Sequence, residues 1–82
     1  MDKELLEKLY KNNLLNLVLV SLISADTLIS IEDCEKSWES MVELEKLLPE
    51  TDIPEKEKIK IKEYIKKGFS IIESEKTRLK GG

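Results

Sequence analysis

Residues 14–31 read LLNLVLVSLISADTLISI and decide the fold, because nearly every residue is apolar, small or typical of a helix boundary. The most apolar part, residues 17–23, follows Asn16 and is closed by Asp26. A membrane-spanning helix needs about 20 mostly apolar residues, and a run of about 10 to 14 is more often a buried core helix. The preceding segment mixes acids with bases, unlike a secretory signal. We therefore expect a core helix packed on nearly all sides, and no membrane contact.

The residues before this stretch continue the same helix in our prediction. Apolar residues recur there at the spacing of one helix face, at Leu5, Leu6, Leu9 and Tyr10. No Gly or Pro occurs before Asp26. We predict one long, strongly apolar first helix over residues 3–28, with a bend at Asn12 and Asn13, which divides it into two shorter helices, as the alternative.

Ser30 marks the start of a second helix. Its side chain is placed to cap the amino end, and Asp33 follows three residues later in a variant of the capping box. Pro49 cannot continue a helix comfortably, so we predict that the second helix covers residues 31–48. Its apolar side, which should face the first helix, contains Ile31, Cys34, Trp38, Met41, Val42 and Leu48. We expect Trp38 to be a core anchor there, with a place in a binding interface as the alternative.

Pro54 suits the first position of a third helix, predicted over residues 54–79. Its apolar side contains Ile61, Tyr64, Ile65, Phe69, Ile71, Ile72 and Leu79. Gly68 lies within that side, where glycine weakens a helix. We predict that a neighbouring helix approaches closely there, with a local break in the helix as the alternative. Because the connections are short, we expect an all-α, antiparallel three-helix bundle that forms a single domain over residues 1–82.

The composition restricts the chemistry. The chain has 82 residues, of which 38% are charged and 40% hydrophobic, with one cysteine and no histidine. An internal disulfide is therefore ruled out, and the usual general base and zinc ligand are missing. Cys34 lies on the apolar side of the second helix and reads as a buried core residue. We expect no enzymatic activity, cofactor or metal, and a cytoplasmic location.

Charge is distributed unevenly along the chain. Residues 1–53 carry five lysines against twelve acids, a net charge of −7, whereas residues 54–82 carry +4. Glu35, Glu39 and Glu43 recur every four residues on the solvent side of the second helix, and Glu32 lies on the same side. We call Glu32, Glu35, Glu39 and Glu43 the acidic ridge. We predict that this ridge, with Trp38 and the off-stripe Ile59, binds another protein through a basic surface, such as a nucleic-acid groove. The alternatives are a solvated helix face for the glutamates and local fraying at Ile59.

Two carboxylates fall on predicted apolar sides, Glu45 on the second helix and Glu75 on the third. A buried carboxylate needs a partner or a raised pKa, so each either meets a lysine or marks where the apolar side opens to solvent. Acid and base catalysis by these two groups is the less favoured alternative.

The favoured function is a small inhibitor, immunity or regulatory protein that occupies a surface of a larger protein. A structural subunit of a helical homo-oligomer is the main alternative, since a homodimer would cover apolar surface on the first helix. Residues 37–44, followed by Asp52 to Pro54, are similar to the region around the phosphopantetheine serine of acyl carrier proteins, which would imply attachment at Ser37. The aspartate before that serine is missing. A weak nucleic-acid binder is the last alternative, because the lysines of the third helix spread around it.

Overall fold

The computed structural model describes residues 2–81, which form four α-helices and one 3₁₀ turn and contain no strand. The helices are α1 (Lys3–Lys11), α2 (Leu15–Leu22), α3 (Ile31–Leu47) and α4 (Glu55–Gly81), and the 3₁₀ turn is Leu48–Glu50. The molecule measures 42 × 18 × 17 Å. Its long axis matches α4, because 27 residues span about 40 Å in a helix. The all-α prediction is confirmed. Met1 and Gly82, the ends of the predicted domain, lie outside the described residues.

The predicted three-helix bundle with a single first helix over residues 3–28 is not confirmed, because α1 and α2 divide this range. Asn13 adopts a left-handed conformation with φ of 58°. The amide of Asn13 donates to the Tyr10 carbonyl at 3.1 Å, and that of Leu14 donates to the Leu9 carbonyl at 2.8 Å. These are the two bonds of a Schellman motif, in which Asn is the usual substitute for Gly. The alternative of two shorter helices, divided at Asn12 and Asn13, is therefore confirmed.

Hydroxyl groups end α2 well before the predicted residue 28. The Thr27 hydroxyl donates to the Ser21 carbonyl at 2.6 Å and lies 2.9 Å from the Ser24 hydroxyl. The amides of Thr27 and Leu28 both donate to the Ser24 carbonyl, at 3.0 and 3.1 Å. Ser and Thr compete with helical hydrogen bonding in this way, so the chain turns here instead of continuing as a helix.

The expectation that residues 14–31 are packed on nearly all sides is correct for one side only. Leu15, Leu19 and Leu28 are buried in the core. In contrast, Leu14, Leu17 and Val20 on the opposite side of α2 are 44%, 66% and 49% exposed. We call these three residues the outer face of α2. Ile29, in the segment between α2 and α3, is also exposed.

Helix α3 begins as predicted. The Ser30 hydroxyl oxygen accepts from the Asp33 amide at 3.1 Å and the hydroxyl donates to the Asp33 carboxylate at 2.9 Å. The buried side of α3 consists of Cys34, Ser37, Met41 and Leu44. The predicted apolar side is therefore rotated slightly: Cys34 and Met41 are in the core, whereas Ile31, Trp38 and Val42 lie at its edge.

Helix α4 packs mainly against α3. Its buried side contains Lys58, Ile61, Ile65, Gly68 and Ile72. The close approach predicted at Gly68 is confirmed, because a Cβ there would lie 2.7 Å from Met41 Cε and 3.5 Å from Ile23 Cγ2. Glycine thus allows α3 and the end of α2 to meet α4 at one point.

Candidate partner interface

The acidic ridge lies on the solvent side of α3. Glu32, Glu35, Glu39 and Glu43 are all exposed, and the buried side with Cys34 and Met41 faces the other way. The Ser30 cap fixes where the helix begins, and the core residues fix its rotation, so both set the direction in which the four carboxylates point. The structure therefore places these four predicted residues on one surface.

Glu32 and Glu35 of the ridge each pair with a lysine. Lys36 Nζ lies 3.5 Å from Glu32 Oε1, one turn along the same helix. Lys76 Nζ, on α4, lies 3.4 Å from Glu35 Oε1. Exposed ion pairs of this kind contribute about 0 to 1 kcal/mol to stability and leave the carboxylates in contact with water. The ridge is therefore less acidic than the sequence predicted, and its least compensated part lies around Glu39.

Trp38 lies at the edge of this surface, where α3 meets α4. Its ring centroid is 4.5 Å from that of Phe69, with the planes tilted by 53°, and the residue is 37% exposed. Trp38 is therefore not the fully buried core anchor, which was one of the two roles expected for it. Because Phe69 supports one side of the indole, its rotamer is already restricted, which lowers the entropy lost if a partner packs on the open side.

Ile59 lies on α4, well separated from Trp38 along the helix. It is 57% exposed, which agrees with its position off the apolar side of α4. Phe69, which marks the position of Trp38 along α4, follows ten residues later, or about 15 Å along the helix axis. Trp38 and Ile59 therefore cannot contact the same small group on a partner.

The structure also places Cys34, Glu45, Glu75 and Ser37, the other residues that the sequence singled out. Cys34 is fully buried, as predicted. Glu45 is exposed, so the apolar side opens to solvent there. Glu75 pairs with Arg78 on the same helix at 2.8 Å. Ser37 is only 3% exposed, which leaves no room around its hydroxyl for a phosphopantetheine arm.

Lys58 was grouped in the sequence with the dispersed lysines of the third helix, yet it is only 8% exposed. Its Nζ donates to the Pro49 carbonyl at 3.3 Å and lies 3.4 Å from Glu55 Oε1. It therefore ties the first turn of α4 to the 3₁₀ turn after α3. Its spacing to Ile61 and Ile65, which places all three on one helix face, was the signal for this role.

The outer face of α2 is a second candidate surface. No charged residue occurs between Lys11 and Asp26, so this face lacks the charge that covers the rest of the chain. The sequence indicated excess apolar residues here but not which of them would be exposed. The Schellman motif at Asn13 separates α2 from α1 and sets which side of α2 faces the core.

Within residues 2–81, no helix combines the length and the apolarity needed to cross a membrane. In the same part of the chain, no three acidic or cysteine side chains are placed so that they could hold a metal ion. Comparison with protein-family models, with curated proteins and with solved structures gives no match. Function is therefore inferred from the surfaces of the molecule alone.

Proposed function

We propose that the chain is a non-catalytic protein-binding module of the inhibitor, immunity or regulatory kind, which acts in the cytoplasm by occupying a basic surface of a larger protein. The observation that carries this proposal is the partly exposed Trp38, which Phe69 contacts on one side and which lies one helical turn from the exposed carboxylate Glu35. Tryptophan is enriched among residues that dominate binding energy, and surrounding charges select the partner and speed its encounter.

The partner that fits this surface presents a basic patch with an apolar or arginine side chain at its centre. An arginine guanidinium stacks on an indole through a cation–π interaction. The carboxylates beside the indole then pair with neighbouring basic groups. A protein with a nucleic-acid groove offers such a surface, and occupation of that groove would block its normal ligand.

The test compares two double charge reversals. Glu32→Lys with Glu39→Lys changes the acidic ridge without breaking the Glu35 to Lys76 bridge between helices. Glu4→Lys with Glu63→Lys makes the same change in net charge at exposed positions elsewhere, and Glu4, like Glu32, lies in the first turn of a helix. Proteins captured from the source organism by the wild-type chain would be identified, and their association rates measured at low salt.

We expect the ridge variant to associate with the captured partner at least about tenfold more slowly than the wild-type chain, because charge steering raises association rates by about 10- to 1,000-fold. The control variant should stay within about twofold. Equal rates for the two variants would reject the acidic ridge as the binding surface.

A homo-oligomer formed through the outer face of α2 is the second candidate function. The exposure of Leu14, Leu17 and Val20 favours it, because contiguous apolar surface is often an interaction site. Leu17→Glu tests it, since Leu17 is the most exposed of the three and the change should not disturb the core. A mass above 9.5 kDa in light scattering that falls to this value in the variant would support it. The carrier and nucleic-acid alternatives have less support, given the buried Ser37 and the dispersed lysines of α4.

A further inference from the structure

The break between α1 and α2 leaves local backbone interactions unmade. Asn13 has φ of 58°, which asparagine tolerates but only glycine adopts without strain. The first amides of a helix need partners outside it, yet the cap residue of α2 is Leu14, whose side chain makes no capping hydrogen bond. In a continuous helix, Asn13 would leave the left-handed region, and the first amides of α2 would donate to carbonyls one turn earlier. Straightening would therefore improve the local backbone interactions.

Straightening would also align two apolar faces that the bend holds apart. Leu6 is buried in the core, and Leu9 is partly buried against it. On a continuous helix with about 3.6 residues per turn, Leu17 lies about 20° from Leu6. Val20 lies about 20° from Leu9, whereas Leu15, on the buried side of α2, lies about 180° from Leu6. The side of α1 that packs on the core would therefore be continuous with the outer face of α2, which is exposed in the bent chain.

Helix α1 is held by contacts that a second copy of the chain can supply. It packs against α3 and the 3₁₀ turn and buries Leu6. Glu7 Oε2 accepts from the Asp52 amide at 2.9 Å, and Lys11 Nζ lies 3.8 Å from Asp52 Oδ2. All of these partners follow the break at Asn13 in the chain, so α1 of one copy can make the same contacts with another copy. The site that α1 occupies is thus already complementary to the α1 of a second copy.

We propose that two copies of the chain exchange α1. Residues 3–22 become one continuous helix, and α1 of each copy packs in the α1 site of the other. The second copy then lies on the apolar side of α1, and the outer face of α2, on that same side of the straight helix, faces it as well. No charged residue occurs between Lys11 and Asp26, so the segment that crosses between the copies adds no charge repulsion to their contact. This proposal rests on the second candidate function and names what covers the outer face of α2.

Two substitutions at the hinge favour the two forms in opposite directions. Asn13→Ala adds strain to the bent form and favours the helix, whereas Asn13→Gly relaxes the bend and weakens the continuous helix. Both remove the same side chain from an exposed position, so each variant is the control for the other. Each chain would be concentrated, warmed near its unfolding midpoint so that α1 can exchange, and cooled. Light scattering across concentration would then measure the mass, with Leu17→Glu measured in parallel.

A mixture of isotope-labelled and unlabelled wild-type chains, treated in the same way, shows whether α1 has been exchanged. Isotope-filtered NMR detects only contacts between different copies. We expect such contacts between α1 of one copy and residues 48–53 of the other. A dimer in which α1 contacts only its own chain would overturn the proposal, and this result needs no variant to fold.

We expect a dimer of twice 9.5 kDa. Because each dimer contains two hinges, its dissociation constant should fall at least about tenfold in Asn13→Ala and rise at least about tenfold in Asn13→Gly. No dimer of the wild-type chain at about 1 mM, or equal dissociation constants for the two hinge variants, would also overturn the proposal. A dimer that ignores the hinge but is lost in Leu17→Glu would leave the second candidate function standing without exchange of α1, so the two failures are distinguishable.

Discussion

Substitution of Gly68 by alanine tests the close approach of α3 to α4. In an open helix, Gly→Ala would stabilise the protein by about 0.8 to 1 kcal/mol. Here the new Cβ would lie 2.7 Å from Met41 Cε and 3.4 Å from its Sδ, and Met41 is fully buried. Overpacking of a core costs about 1 to 3 kcal/mol. Because the atom that the new Cβ meets first is the terminal methyl of a flexible side chain, we take the low end of that range, about 1 kcal/mol. The two contributions then offset each other, and we expect Gly68→Ala to change the free energy of unfolding by less than about 0.5 kcal/mol.

A double-mutant cycle with Met41→Leu separates the two contributions. Leucine lacks the Cε atom that the alanine would meet, and this exchange alone should cost less than about 1.5 kcal/mol. With the contact removed, alanine at residue 68 stabilises the helix as it would in an open helix. The double variant should therefore be at least about 1 kcal/mol more stable than the sum of the two single effects predicts. Urea unfolding followed by circular dichroism measures all four proteins. A Gly68→Ala variant that is stabilised by about 1 kcal/mol, with additive effects, would show that α3 does not approach α4 at this point.

Three further predictions concern the turn, the cap and the core. Asn13→Gly should raise the free energy of unfolding by about 0.5 kcal/mol and Asn13→Ala should lower it by about 1 kcal/mol, because only glycine adopts φ of 58° without strain. Thermal melts of both variants check this. Equal stability of the two variants would argue for a continuous first helix. Ser30→Ala should lower the free energy of unfolding by about 1 kcal/mol through loss of the α3 cap, which urea unfolding measures. A decrease of less than a few tenths of a kcal/mol would mean that the hydroxyl does not cap the helix. Cys34 should react with a thiol reagent only as fast as the fold opens, because it is fully buried; a native-state rate equal to that of the urea-unfolded chain would contradict its placement in the core.

The sequence predicted those parts of the fold that depend on local signals. Ser30 and Pro49 lie within two residues of the ends of α3, and Pro54 immediately precedes α4. Such signals are reliable because caps and prolines act within a few residues of where they occur. The division between α1 and α2 was harder to predict, because Asn is compatible with a helix interior and ends a helix only if it adopts the left-handed conformation. The end of α2 depended on hydrogen bonds among Ser21, Ser24 and Thr27, each of which a helix also tolerates.

The candidate site was predictable in part for the same reason. Four-residue spacing placed the acidic ridge on one side of α3, and that placement needs no knowledge of the other helices. The ion pair of Glu35 with Lys76 and the tilted ring contact of Trp38 with Phe69 join residues more than thirty positions apart. Such contacts depend on the register between α3 and α4, which periodicity does not specify.

Photo-crosslinking in cells of the source organism tests most directly the claim that the chain works by binding a protein through α3. A photoreactive amino acid would replace Glu39 in one version of the full chain and Glu63, exposed on α4, in the other. We predict a discrete crosslinked protein at position 39 that is lost when Trp38 is also changed to alanine, and no such product at position 63. The same product at both positions, or a product at position 63 alone, would contradict the account.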